Sequence, residues 1–181
     1  MKQLIFALLM VPMLALNSCS SFKGPGKEVK GPFSGSSYQT SGRFFRGTGY
    51  GVSRSQEVAR DKARMMAQKE LAGSVSTTMK AVSDRFLNER TKEQASDINE
   101  KFETLNREVL NQSITDVRTL GEKTYQLEDG TFKVYIALEA SKKAIYQRMK
   151  EQAEARKNLD ERTKADLVKM LQQALEQAET D

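Results

Sequence analysis

Catalysis by a protein chain needs side chains that move protons, attack carbonyls or hold metals, and this sequence is short of them. It contains no His and a single Cys, Cys19. Without His it lacks the side chain that titrates near neutral pH, the usual partner of a Ser or Cys nucleophile, and the commonest metal ligand. One Cys excludes an intramolecular disulfide and a thiolate metal cluster within one chain. Ser20-Ser21-Phe22-Lys23 matches the Ser-x-x-Lys spacing of some acyl-enzymes. A lysine becomes a base only in a desolvating pocket, however, and this one sits in a Gly/Pro/Ser-rich stretch. Glu100/Glu103 and Glu151/Glu154 lie at helical spacing among Lys and Arg and read as solvated faces. Arg54, Arg60, Lys62, Arg64 and Lys69 interleave with Glu57, Asp61 and Glu70, which reads as a solvated helix rather than an anion site. Gly47, Gly49 and Gly51 fit neither dinucleotide nor P-loop spacing. The expectation is a protein with no catalytic residue, no cofactor and no metal, and so not an enzyme.

The one residue expected to undergo chemistry is Cys19. Lys2 precedes an apolar run from Leu4 to Leu16, the plan of a secretory signal and too short to span a bilayer, which needs ~20 residues. The run ends on Leu16-Asn17-Ser18-Cys19, which resembles the lipobox of bacterial lipoprotein signals. That resemblance implies diacylglyceration of the Cys19 thiol, cleavage of the bond before it, and acylation of the new amino terminus. Two or three acyl chains anchor a protein durably where one gives only reversible attachment, since each buried methylene is worth ~0.8 kcal/mol. The position after the Cys holds Ser20 rather than Asp, which in enterobacteria-like sorting implies the outer membrane.

The elements that would stand on this anchor follow from composition and periodicity. The formal charge of +5 is too diffuse to indicate nucleic-acid binding. From Ser20 to Gly42 the chain is rich in Gly and Ser and holds Pro25 and Pro32. It buries too little to offset its ordering entropy and reads as a tether with a relaxed span on the order of 25 Å. Residues 43–53 read as a strand with Gly47, Gly49 and Gly51 on one face, marking a close backbone approach, and Phe44, Thr48, Tyr50 and Val52 on the other.

Ser53 or Ser55 caps a helix whose apolar stripe runs Ala59, Ala63, Met66, Ala67, Leu71, Val75, Met79, Val82, Phe86. A soft break near residues 88–97 and a return helix capped by Asp97, with Ile98, Phe102, Leu105 and Val109, follow. Asp129-Gly130 predicts a two-residue type I′ hairpin turn, with Leu127 opposite Phe132 and Tyr125 opposite Val134. Ser141 caps a last helix from Lys142, whose later stripe (Leu167, Met170, Leu171, Ala174) is left to dock back, pair with a copy or lie on a membrane. The fold class is α+β: a small antiparallel sheet of about three strands packed by a long helix or helical hairpin, with a C-terminal helix.

Gly47-Thr-Gly-Tyr-Gly51, the helix with Ala59, Ala63, Ala67 and Leu71, and the strand Phe132-Lys-Val-Tyr-Ile136 together resemble the LPP-twenty lipoprotein family. That family includes outer-membrane lipoproteins and resembles the amino-terminal domain of a flagellar assembly protein. The resemblance covers roughly residues 42–145. It implies an α+β domain in a cell-envelope protein with no established enzymatic activity, and it brings no functional residue beyond the lipidated Cys19. The expected division is a signal peptide at 1–18, a lipid-anchored tether at 19–41, the α+β domain at 42–145 and a helical extension at 146–181.

These readings point to a non-enzymatic structural or interaction module, lipid-anchored to the outer membrane on its periplasmic or cell-surface face. The alternative is a binding module for a small envelope ligand such as a peptidoglycan or lipid fragment. Partners expected are the membrane, through the lipid on Cys19, and a second copy or an envelope protein. A helix from about Ser55 to Phe86 is ~48 Å long at 1.5 Å per residue, while ten-residue strands cover only ~33 Å. The excess, with the returning helix, is therefore expected to project as an arm that carries the partner contact.

Overall fold

The computed structural model describes residues 29–88, 91–113 and 117–180. Cys19, the apolar signal and the Ser20–Lys23 pair lie outside the described residues. Residues from Gly31 onward form one compact unit. Its strands are β1 (Phe44–Ser53), β2 (Arg118–Gln126) and β3 (Phe132–Ser141), and its helices are α1 (Gln56–Leu87), α2 (Lys92–Ser113), α3 (Lys142–Ala155) and α4 (Glu161–Thr180). The sheet is antiparallel in the order β1-β3-β2, so both β1 and β2 are edge strands.

The glycine-lined face of β1 forms as its alternation requires. A Cβ on Gly47, Gly49 or Gly51 would stand 2.1–2.4 Å from backbone atoms of α1, at Ala67, Ala63 and Ala59 respectively. That is far inside van der Waals contact, so only glycine admits the helix here. Ser55 caps α1, its hydroxyl oxygen accepting from the Val58 amide at 3.5 Å. The buried side of α1 is Ala59, Ala63, Ala67, Leu71, Val75, Met79 and Ser83, one residue every four. Met66, expected in this stripe, is instead exposed. Spacing of three or four places it near the stripe, but with α1 resting directly on β1 only the strict four-residue row reaches the sheet.

The hairpin differs from expectation by one residue. Gln126 pairs with Phe132, Thr124 with Val134 and Tyr125 with Lys133. Leu127 and Thr131 flank a three-residue loop, with the Leu127 amide donating to the Thr131 carbonyl at 2.8 Å and the Gly130 amide donating to the Leu127 carbonyl at 2.9 Å. Within this loop Gly130 alone has positive φ (79°), whereas a type I′ turn needs it at both central residues. The Asp129 carboxylate accepts from the Thr131 amide at 3.0 Å and hydroxyl at 2.7 Å. The Thr131 amide, then its hydroxyl, hold that carboxyl below the usual range. A bulge between Thr119 and Gly121 adjusts the far end of β2.

Further along the chain, α2 begins at Lys92, not at an Asp97 cap. The Ala95 amide donates to the Thr91 carbonyl, and Asp97 lies within the helix, 4.0 Å from Lys101. The expected last helix is two. α3 is capped by Ser141 and ends at Arg156, and Asp160 starts α4 by accepting from the Thr163 amide at 2.9 Å. Buried Leu159 anchors the corner.

Ile98, Phe102, Leu105, Met149, Leu167, Met170 and Leu171 belong to the same core as Phe45, Val134, Ile136 and Leu138. The chain from 146 onward therefore completes the domain rather than extending it. The expected arm does not stand bare either: its apolar stripe is buried in that core, and Arg85 donates to Gln177 of α4 at 2.9 Å.

Residues 31–41, expected to belong to a tether, are part of the folded domain. They fold onto the sheet face opposite α1, where Phe33 seats its ring over Gly121 and meets Tyr38 at a tilt of 60°, with 4.9 Å between centroids. The backbone of Phe33 is left-handed (φ 61°). The segment ends at the β1 edge, with the Thr40 hydroxyl accepting from the Arg46 amide at 3.0 Å and within 2.6 Å of the Ser74 hydroxyl.

Candidate functional site

Edge strands expose backbone donors and acceptors, and how each edge is covered decides what it can bind. In β1 the odd residues pair toward β3 and the even ones point outward. Going along the outward row, Phe44 accepts from the Ser41 amide at 2.9 Å and Arg46 is covered by Thr40. The Thr48 amide donates to a Glu70 carboxylate oxygen at 2.8 Å, which the Thr48 hydroxyl also reaches at 3.0 Å. The Val52 carbonyl accepts from Lys62 Nζ at 3.3 Å. Four groups remain: the Thr48 carbonyl, the Tyr50 amide and carbonyl, and the Val52 amide. None bonds another described residue.

Beside this open half-edge, α1 and β1 form a shallow groove of about 450 Å³ lined by Tyr50, Gly51, Val52, Lys62, Met65, Met66 and Lys69. Tyr50 is 48% exposed, Val52 39%, Met65 63% and Met66 47%. They make up half of the large hydrophobic residues that the described chain exposes, gathered in one place. Two lysines and no carboxylate line the groove. On the sheet face opposite α1, Tyr50 continues into a row with Tyr135 (6.0 Å between centroids) and Tyr125 (5.9 Å from Tyr135). Lys133 Nζ lies 4.9 Å from the Tyr50 ring. The Tyr135 hydroxyl, by hydrogen bond and then by charge, holds that ammonium above the usual lysine range.

A second depression, about 420 Å³, is lined by Phe44, Ser113, Arg118, Glu139, Ser141 and Arg148 among others. Its charged groups are answered internally. Buried Glu139 takes Arg46 on one oxygen at 2.6 Å and Arg118 on the other at 2.7 Å, and Arg148 donates to Ser113 at 3.0 Å. It lacks the uncommitted polar groups that fix a small ligand.

The carboxylates of Glu100, Glu103, Glu151 and Glu154 are exposed. The basic run near the start of α1 divides by helical face. Arg60 reaches over the sheet to Glu122 at 2.7 Å and Arg64 to Thr119 at 3.3 Å, while Lys62 and Lys69 turn to the groove. Among the described residues, no group of three or more His, Cys, Asp or Glu is placed to hold a metal ion. None of the described helices is long and apolar enough to cross a membrane. Sequence reading missed the groove because Met66 was assigned to the core stripe. The available signal was Met65-Met66, two adjacent large apolar residues on one helix, which cannot both face the core. No known protein family, curated protein or solved structure matches the chain.

Proposed function

We propose that this protein is a non-enzymatic interaction module of a bacterial cell envelope, anchored to the outer membrane by lipid on Cys19 and binding its partner through the groove between α1 and the open half of β1. The observation that carries the reading is that groove: a gathered apolar surface beside backbone groups that bond no other described residue, in a domain whose α2, α3 and α4 stripes are buried in one core. Such a patch on a soluble domain marks a site for another molecule. The anchor rests on the Leu16–Cys19 pattern. Membership in the LPP-twenty family rests on the glycine-lined strand and its alanine-rich helix.

Two measurements test the two halves of this reading. Radiolabelled palmitate should enter the wild-type chain and not Cys19→Ala; label retained in the variant would end the anchoring claim. Crosslinking in intact cells should yield adducts that the double substitution Met65→Asp/Met66→Asp removes. Adducts unchanged by it would mean that the groove is not the interaction site.

A further inference from the structure

We infer that the open half of the β1 edge takes an extended segment of another polypeptide by strand addition, with apolar side chains at alternate positions and carboxylates beside them. This rests on the reading of the groove as the interaction site and names what fills it. The open stretch runs from Thr48 to Val52, ~17 Å at 3.4 Å per residue, and it is closed below by Thr40 and Glu70. Within it the groups that bond no other described residue form a consecutive set: Thr48 carbonyl, Tyr50 amide, Tyr50 carbonyl, Val52 amide. An incoming strand running in either direction satisfies all four, donating to the Thr48 and Tyr50 carbonyls and accepting from the Tyr50 and Val52 amides. Side chains of that strand alternate between its two faces. Those on the helix side meet Met65 and Met66, and those on the opposite side meet Tyr50 and Val52. Lys62 and Lys69 supply positive charge on the helix side and Lys133 on the other, so carboxylates in the segment are complementary.

A second copy of the chain is a poorer occupant. Two β1 strands paired antiparallel about a two-fold axis place both α1 helices on the same sheet face. Because α1 rests directly on the β1 glycines, the two helices would then lie ~5 Å apart, the spacing of neighbouring strands. Packed helices need 8–10 Å. A lone extended segment carries no helix and meets no such obstacle.

The test uses the lipidated full-length chain in nanodiscs and a set of heptapeptides with Val, Leu or Tyr at alternate positions and Glu between them. Members that bind should slow hydrogen exchange at the Tyr50 and Val52 amides at least tenfold and leave Thr48, already held by Glu70, unchanged. Each binding peptide is then made in two forms, methylated on one or the other alternate set of backbone nitrogens. One form should lose at least tenfold in affinity and the other should stay within about twofold, and Met66→Asp should weaken the unmethylated peptide at least tenfold. Equal binding of the two methylated forms would overturn strand addition, as would a set in which no member slows Tyr50 and Val52. Slowed exchange caused only by changing the nanodisc lipid from phosphatidylcholine to phosphatidylglycerol would make the groove a membrane contact and overturn the proposal. A doubled mass that Met66→Asp abolishes, without peptide binding, would assign the groove to a second copy and also overturn it. If Met65→Asp/Met66→Asp removes the cellular adducts while the methylated forms bind alike, strand addition fails and the groove reading stands. Unchanged adducts would instead defeat the groove reading itself.

Discussion

β1 and β2 are both edge strands of one sheet, yet they are finished differently. β2 carries Arg118, Glu122 and Lys123, is bent by the bulge between Thr119 and Gly121, and has Phe33 seated over Gly121. Charges, bulges and a covering segment are the usual ways of keeping a strand edge from pairing with another chain. Among the described residues, β1 is covered continuously in its first half, by Ser41, Thr40 and Glu70, and in its second half only at the Val52 carbonyl, by Lys62. Its second half presents Tyr50, Gly51 and Val52 with no charged residue among them. The contrast has a cause in the packing. Positions 47, 49 and 51 of β1 must be glycine for α1 to sit down on it, and the helix, so placed, brings Met65 and Met66 to the rim of the same edge. Close packing and the open groove are two consequences of one approach.

The most severe way to break the contrast is to remove that approach. Gly49→Val places a side chain whose first carbon would lie 2.4 Å from the Ala63 carbonyl oxygen and the Ala67 amide nitrogen. Neither can yield without lifting the helix, so a loss of ~3 kcal/mol or more is expected, seen as a collapsed midpoint in urea. Gly73→Ala in the same helix meets open space and should gain ~0.5–1 kcal/mol. If both variants unfold alike, close approach is not what β1 glycines provide.

A smaller effect tests the floor under the defended half of β1, where Phe45 meets the Tyr146 ring edge-on at 6.3 Å. Burial pushes the Tyr146 phenol from 10.0 up to about 12. A raised pKa on an acid means that the fold prefers the neutral form. The associated stability is fully present below pH 10 and is lost as pH rises toward 12, ~2–3 kcal/mol in all. Tyr146→Phe should flatten that part of the stability profile while leaving the neutral-pH value close to wild type. A profile that falls equally in both proteins would place the alkaline transition elsewhere.

Smaller still is the effect of loosening β2 at its hairpin. Gly130→Val forces a β-branched residue into positive φ and should cost ~1–2 kcal/mol in denaturant. Because β3 stays between β1 and β2, peptide affinity at the β1 groove should change less than twofold in the folded fraction. An affinity that falls with stability would mean that the two edges are not independent.

Much of this architecture is written locally. The Ser55 and Ser141 caps, the glycine face of β1, the alternation of β3 and the return helix each depend on residues a few positions apart, where spacing and side-chain chemistry leave one arrangement. The hairpin marks where that reasoning stops. Asp129-Gly130 announces a turn, but two-residue and three-residue loops both bring apolar residues into line. The choice fell to the Asp129–Thr131 bonds and to the fit of the whole strand against β3.

Other features lay wholly outside local pattern. The apolar stripe of α4 states that it must be covered and not by what; packing against the rest of the bundle supplied the answer. Residues 31–41 have too little apolar surface to order alone, and become ordered because Phe33 finds Gly121 of β2 and Thr40 finds Ser74 of α1. The groove was the least legible of all. Periodicity assigns residues to faces, whereas an open edge is defined by what fails to cover it, and that depends on how far the following helix leans over the strand.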